Sequence, residues 1–117
     1  MDLIDQDALR QLAVDLPPED LQLVMQTFRA DTERLNAAMD AAGQAGDAAA
    51  WRRAAHGLAG AAAAVGAIGV EGLARQAMAH AAIEPGAAAD AMRELRAVTD
   101  TTLQALHTLT DLGTTDR

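Results

Sequence analysis

The residue best placed for chemistry is His56. It lies in residues 51–81, WRRAAHGLAGAAAAVGAIGVEGLARQAMAHA, a stretch dominated by small side chains. A free imidazole has a pKa of about 6.5, so near pH 7 it is largely neutral and nucleophilic. Its ring nitrogen can accept a phosphoryl group as a labile phosphoramidate. That chemistry needs an accessible ring, small neighbours over which a partner can close, and cations that suit a phosphoryl dianion. Gly57, Ala59, Gly60 and Ala63 fit the steric need, and Arg52 and Arg53 can supply charge. Gly57 and Gly60 each cost a helix interior about 1 kcal/mol relative to alanine, which suggests close approach to the backbone there.

Other chemistries fare worse. The chain has no Cys, Ser, Tyr or Lys, so thiolate metal sites, disulfides and most nucleophile–base constellations are excluded. No phosphate-binding glycine loop is present. A di-metal bundle site would need Glu-x-x-His pairs, and no acid stands three residues before any histidine. His80, on the shoulder of its helix, and His107, on an outer flank, read as surface residues, and no metal site is expected.

Charge sharpens the picture. The 117 residues carry a formal net charge of −8, which argues against nucleic acid as a partner. Residues 1–50 hold ten acids against three arginines, whereas residues 51–86 hold three arginines against two acids. The His56 segment is thus the part of the chain most tolerant of an anionic ligand. No apolar run reaches the roughly 20 residues of a membrane span, and the acidic N-terminus does not read as a signal peptide. A cytoplasmic protein is expected.

Helices must position this histidine. Half of the residues are hydrophobic but only Phe28 and Trp51 are aromatic, a composition suited to close-packed helices. Asp5 can cap a short first helix with Leu9, Leu12 and Leu16 on one face. The Pro17-Pro18 pair ends it and, with Glu19 and Asp20, starts a long second helix. That helix turns Leu21, Val24, Met25, Phe28, Thr32, Leu35 and Met39 inward and stops at Gly43 and Gly46. Asp47 caps the third helix. Its apolar stripe reads Trp51, Ala54, Leu58, Ala61, Val65 and Ile68, and His56 sits about 160–200° from Ala54 and Leu58. His56 is therefore expected in water.

Gly66 and Gly69 make the turn to a fourth helix with Val70, Leu73, Ala74, Ala77 and Ala81 inward. After the Pro85-Gly86 break, a fifth helix runs from about Ala88 to Leu112. Its inward residues are Met92, Leu95, Val98, Thr99, Leu106 and Leu109. Gly113 ends it, leaving a frayed tail. Short connections between amphipathic helices imply an all-α fold, an antiparallel up-down-up-down four-helix bundle with a short extra N-terminal helix. Residues 1–117 read as one domain.

The segment AHGLAGAAAAVGAIGVEGLA resembles the histidine-containing phosphotransfer (HPt) domains of two-component phosphorelays. The family pattern is approximately A-H-x-L-K-G-[SA]-A-x-x-[LV]-G. Ala55, His56, Leu58, Gly60, Ala61, Ala62, Val65 and Gly66 match it, and Val70 and Leu73 match apolar positions of the next helix. The resemblance implies that His56 is the phosphoacceptor, through Nε2. It implies that the partners are receiver domains and a hybrid or sensor histidine kinase, that a receiver supplies Mg²⁺ and most of the catalytic apparatus, and that this chain needs no cofactor and catalyses nothing alone. A monomer suffices.

One position departs from the pattern. The family commonly carries Lys or Arg three residues after the histidine, where this chain has Ala59. Either Arg52 or Arg53 supplies the charge from the preceding turn, or transfer is weak and the domain is chiefly a non-phosphorylated adaptor for a receiver or kinase. An exposed charge near a phosphate is worth on the order of 0.5–1 kcal/mol, so its loss tunes the reaction without abolishing it.

Overall fold

A computed structural model describes residues 2–79 and 84–115, with side chains described as far as Thr110. The described residues form five helices and no strand: α1 (Gln6–Asp15), α2 (Pro18–Ala45), α3 (Ala48–Ala64), α4 (Ile68–Met78) and α5 (Pro85–Thr115). No helix among them is long and apolar enough to cross a membrane. Ala81, expected on the inner face of the fourth helix, lies outside the described residues, as does His80.

Local chemistry sets the helix ends. The Asp5 carboxylate accepts from the Ala8 N–H at 3.1 Å, and Asp47 accepts from the Ala50 N–H at 3.0 Å. Each satisfies an amide that the first turn leaves without a partner. Pro17 and Pro18 start α2, with Glu19 and Asp20 in its first turn. Gly46 closes α2 in a left-handed conformation, φ +69°, and donates to the Ala42 and Gly43 carbonyls. Gly66, φ +74°, turns the chain between α3 and α4.

Three other glycines do not break the chain as expected. Gly43 lies inside α2, where a Cβ would come within 3.0 Å of Ala88 Cβ and 3.2 Å of the Trp51 ring. Gly69 lies inside α4, where a Cβ would meet Leu3 Cδ2 at 2.6 Å. Both are glycines of close packing, and tertiary contact outweighs their low helix propensity. Gly113 likewise lies within α5, and that helix begins at Pro85, whose ring suits a first turn.

Packing closes a ring around one core. α2 lies against α3 and α5, and α4 lies against α3 and α5. The N-terminal segment is tied to the end that carries the α3–α4 turn: Asp5 N–H donates to the Gly66 carbonyl at 2.8 Å, and Gly69 N–H to the Leu3 carbonyl at 3.1 Å. Trp51 is 2% exposed, and its Nε1–H donates to the Ala77 carbonyl at 3.0 Å, pinning α3 to α4.

The inward faces differ from the expected stripes in a few places. Leu109 is exposed, because Thr110, about 100° round the helix, takes the buried position. Leu103 and Thr102 are buried on the same face. Ile68 is exposed in the first turn of α4, beyond the reach of the α3 periodicity, and Ala61 is only partly buried.

Candidate functional site around His56

The inner face of α3 is made by Trp51, Ala54, Ala55, Leu58, Ala59 and Ala62. This 3-4 spacing fixes the opposite face, where His56, Arg52, Arg53, Gly60, Ala63 and Ala64 are all exposed. His56 makes no hydrogen bond to any described residue. Its ring nitrogens are therefore open to a partner. Among the described residues Arg52 and Arg53 pair with no acid, although five other arginines do.

The two glycines beside the histidine serve different ends. At Gly60 a Cβ would meet nothing within 4 Å, so the helix surface is bare and open to solvent. At Gly57 a Cβ would lie 3.2 Å from Leu35 Cδ2, so this partly buried glycine lets α2 approach α3. Gly57 therefore shapes the site from its edge.

Ala59 is the clearest correction. It was expected on the surface with His56, yet it is 1% exposed and belongs to the core. The 100° step explains this. Ala55, Ala59 and Ala62 share one flank of α3, and α4 packs closely along α3. The exposed face around the histidine is thus Arg52, Arg53, His56, Gly60 and Ala63, with Ala59 forming part of the wall beneath it.

Beside this face runs an apolar groove between α2 and α3. Leu23, Val24, Thr27, Phe28 and Asp31 line one wall, and Ala61, Ala64 and Val65 the other. Leu23 is 61% exposed at its edge. Sequence reasoning missed Leu23, although a signal was present: it stands about 200° from Leu21, off the inward stripe of α2. His107 is exposed on α5 and lines a separate depression with Gln22, Gln26 and Arg29. No group of three or more His, Cys, Asp or Glu side chains among the described residues could hold a metal ion.

The family model described as Hpt domain matches residues 19–111, from the first turn of α2 through most of α5. Comparison with curated proteins and with solved structures finds no match. The family match spans well over half of the sequence and contains the whole face just described, so the chain belongs to the Hpt domain family, whose members carry out phosphotransfer in two-component signalling.

Proposed function

We propose that His56 is the phosphoacceptor and that the protein relays a phosphoryl group between His56 and receiver aspartates. The observation that carries this reading is the placement of His56: exposed, without a hydrogen-bond partner, and next to bare helix at Gly60. In the forward step the Nε2 lone pair attacks the phosphorus of a receiver aspartyl phosphate. The N–P bond forms, the P–O bond to the carboxylate breaks, and the carboxylate leaves with the electron pair. The Nδ1–H proton stays on the ring. The reverse step returns the phosphoryl group to an aspartate.

The division of labour follows from what each side brings. The receiver contributes the aspartate and its Mg²⁺. This chain contributes a rigid nucleophile, a flat surface at Gly60 and Ala63, and positive charge from Arg52 and Arg53 one turn before the histidine. The groove with exposed Leu23 extends that surface with apolar area for the receiver to cover. The stretch of chain with the least negative charge thus meets the phosphoryl group.

In this reading α2 to α5 form an antiparallel up-down-up-down bundle, with residues 1–117 as one domain acting as a monomer in the cytoplasm. The two residues between α2 and α3 and the three between α3 and α4 support that arrangement.

The test is to mix the protein with a phosphorylated receiver or hybrid kinase and assay an acid-labile, base-stable phosphate. Wild type gains the label and His56→Gln does not. Label retained on His56→Gln overturns the assignment. Receiver binding that survives His56→Ala, with no label from any donor, identifies an adaptor instead.

A further inference from the structure

The burial of Ala59 leaves Arg52, one turn earlier and about 40° round the helix, as the one α3 cation on the side of His56 towards α4. A further candidate comes from the neighbouring helix. We propose that Arg75, held ready by Glu71 on the edge of α4 that borders α3, joins the α3 arginines as a second source of positive charge and engages the phosphoryl group on His56, exchanging Glu71 for it. The proposal rests on His56 being the phosphoacceptor.

The edges of the two helices fix the juxtaposition. On α4, Gly69 faces α5, since a Cβ there would lie 3.4 Å from Val98 Cγ1. Glu71, Met78 and Arg75 stand about 200°, 180° and 240° further round, on the opposite edge. α4 packs against α3 and α5 and no other helix, so that edge borders α3. The burial pattern agrees: the Glu71 side chain is 23% exposed, and Met78 packs against the core. On α3, Gly57 and Ala61 face α2, which leaves the flank of Ala55, Ala59 and Ala62 for α4. Ala59 is the outermost of the three, about 60° from His56.

The levels along the seam agree as well. Ala59 lies six residues before Val65, and Arg75 seven residues after Ile68, about 9 and 10 Å from the turn. The Trp51 Nε1–Ala77 carbonyl bond, 3.0 Å, gives an independent marker further from the turn. Ala77 lies within an indole's reach of Trp51, and Arg75 is two residues closer to the turn. Arg75 therefore falls between the levels of Trp51 and Ala59, and His56 stands within that stretch.

Arg75 is equipped for the exchange. Its Nε–H and one Nη2–H donate to the same Glu71 oxygen, Oε2, at 3.0 and 2.8 Å. A guanidinium has five N–H donors, so three remain uncommitted among the described residues. The Arg75 side chain is 57% exposed and can swing. A phosphoryl dianion offers three acceptor oxygens and more charge than a carboxylate, so it competes with Glu71 for the same fork. Before phosphorylation Glu71 keeps the guanidinium at the seam. Afterwards the cation covers the phosphoryl group from the side that Ala59 leaves bare.

The experiment loads the full chain with phosphoramidate, which needs no partner, and follows the ³¹P shift of the phosphohistidine as pH is varied. A cation beside the phosphoryl group favours its dianion and lowers the midpoint of its last ionisation. Arg75→Ala is expected to raise that midpoint by roughly half a pH unit, from the size of an exposed ionic contact. Arg75→Lys restores most of the difference, and Glu71→Gln, which frees the guanidinium, lowers the midpoint below that of wild type. A midpoint unchanged in both Arg75→Ala and Glu71→Gln, but raised in Arg52→Ala/Arg53→Ala, overturns the role of Arg75 and leaves the phosphoacceptor reading standing. Wild type that gains no label at His56 overturns that reading itself.

Discussion

Two opposite seams of the bundle, α3–α4 and α2–α5, are built on different rules. Where α3 meets α4, the fully buried residues are small: Ala55, Ala59 and Ala62 on α3, with Val70 and Ala74 on α4. Trp51 is the one large anchor, and it carries the hydrogen bond that ties the pair together. Where α2 meets α5, the interior holds Met39, Met92, Leu95 and Leu106 together with a polar layer of Thr32, Asn36, Thr99 and Thr102. In that layer Asn36 Nδ2 reaches Thr99 Oγ1 only at 3.5 Å, and Asn36 Oδ1 and Thr102 Oγ1 find no partner among the described residues. The alanine seam brings two backbones close, fixes α3 by shape, and leaves its outer face flat enough for another protein to approach the histidine. The α2–α5 seam involves no residue of α3, and it tolerates imperfect polar satisfaction.

That contrast predicts unequal sensitivity. Trp51→Ala should have the largest effect. It removes the anchor and leaves the Ala77 carbonyl without its donor, costing about 3–5 kcal/mol in chemical denaturation. A loss below about 1 kcal/mol would show that the α3–α4 seam does not depend on the indole. Ala62→Leu comes next. Inserting three carbons into a fully buried position of a close seam should cost about 1–3 kcal/mol, read as a lower denaturation midpoint.

Gly60→Leu should leave stability within about 1 kcal/mol of wild type, since nothing lies where its side chain begins. It should weaken receiver docking by roughly tenfold or more, because a side chain then stands where a partner must close, and tenfold is about 1.4 kcal/mol. Wild-type transfer rates in that variant would remove the case for close approach. Thr102→Val should have the smallest effect. It replaces a buried hydroxyl without a partner by a methyl of similar shape, so stability should hold or rise by up to about 1 kcal/mol. A clear loss would mean that the polar layer is satisfied and structural, and the two seams would then be more alike than their residues suggest.

Several features of the site are legible in the sequence. The exposure of His56 followed from the spacing of Trp51, Ala54 and Leu58, because a helix has one inner face and a residue opposite it meets water. The caps at Asp5 and Asp47 and the start at Pro18 followed from side-chain chemistry local to the helix end. Other features were not legible. Gly43 and Gly69 look like helix stops, and only the proximity of Trp51, Ala88 and Leu3 shows why glycine stands inside a helix there. Gly57 and Gly60 look alike in sequence, and only the position of Leu35 separates a packing glycine from an open one. Leu23 could have been found from its angle on α2, but the groove it borders also needs residues of α3.

The sequence by itself determined that this chain is helical, where its capped helices begin, and that His56 lies on the face of α3 turned away from the core. Each depends on residues within a turn or two of one another, where the helical repeat and backbone hydrogen bonding decide the outcome. Only the tertiary structure decided that Ala59 is buried and that the bare surface lies at Gly60. Those facts depend on which flank of one helix meets which flank of another. Helix periodicity says how residues are arranged around an axis, but the direction in which a neighbour lies is set by packing among residues far apart in the chain.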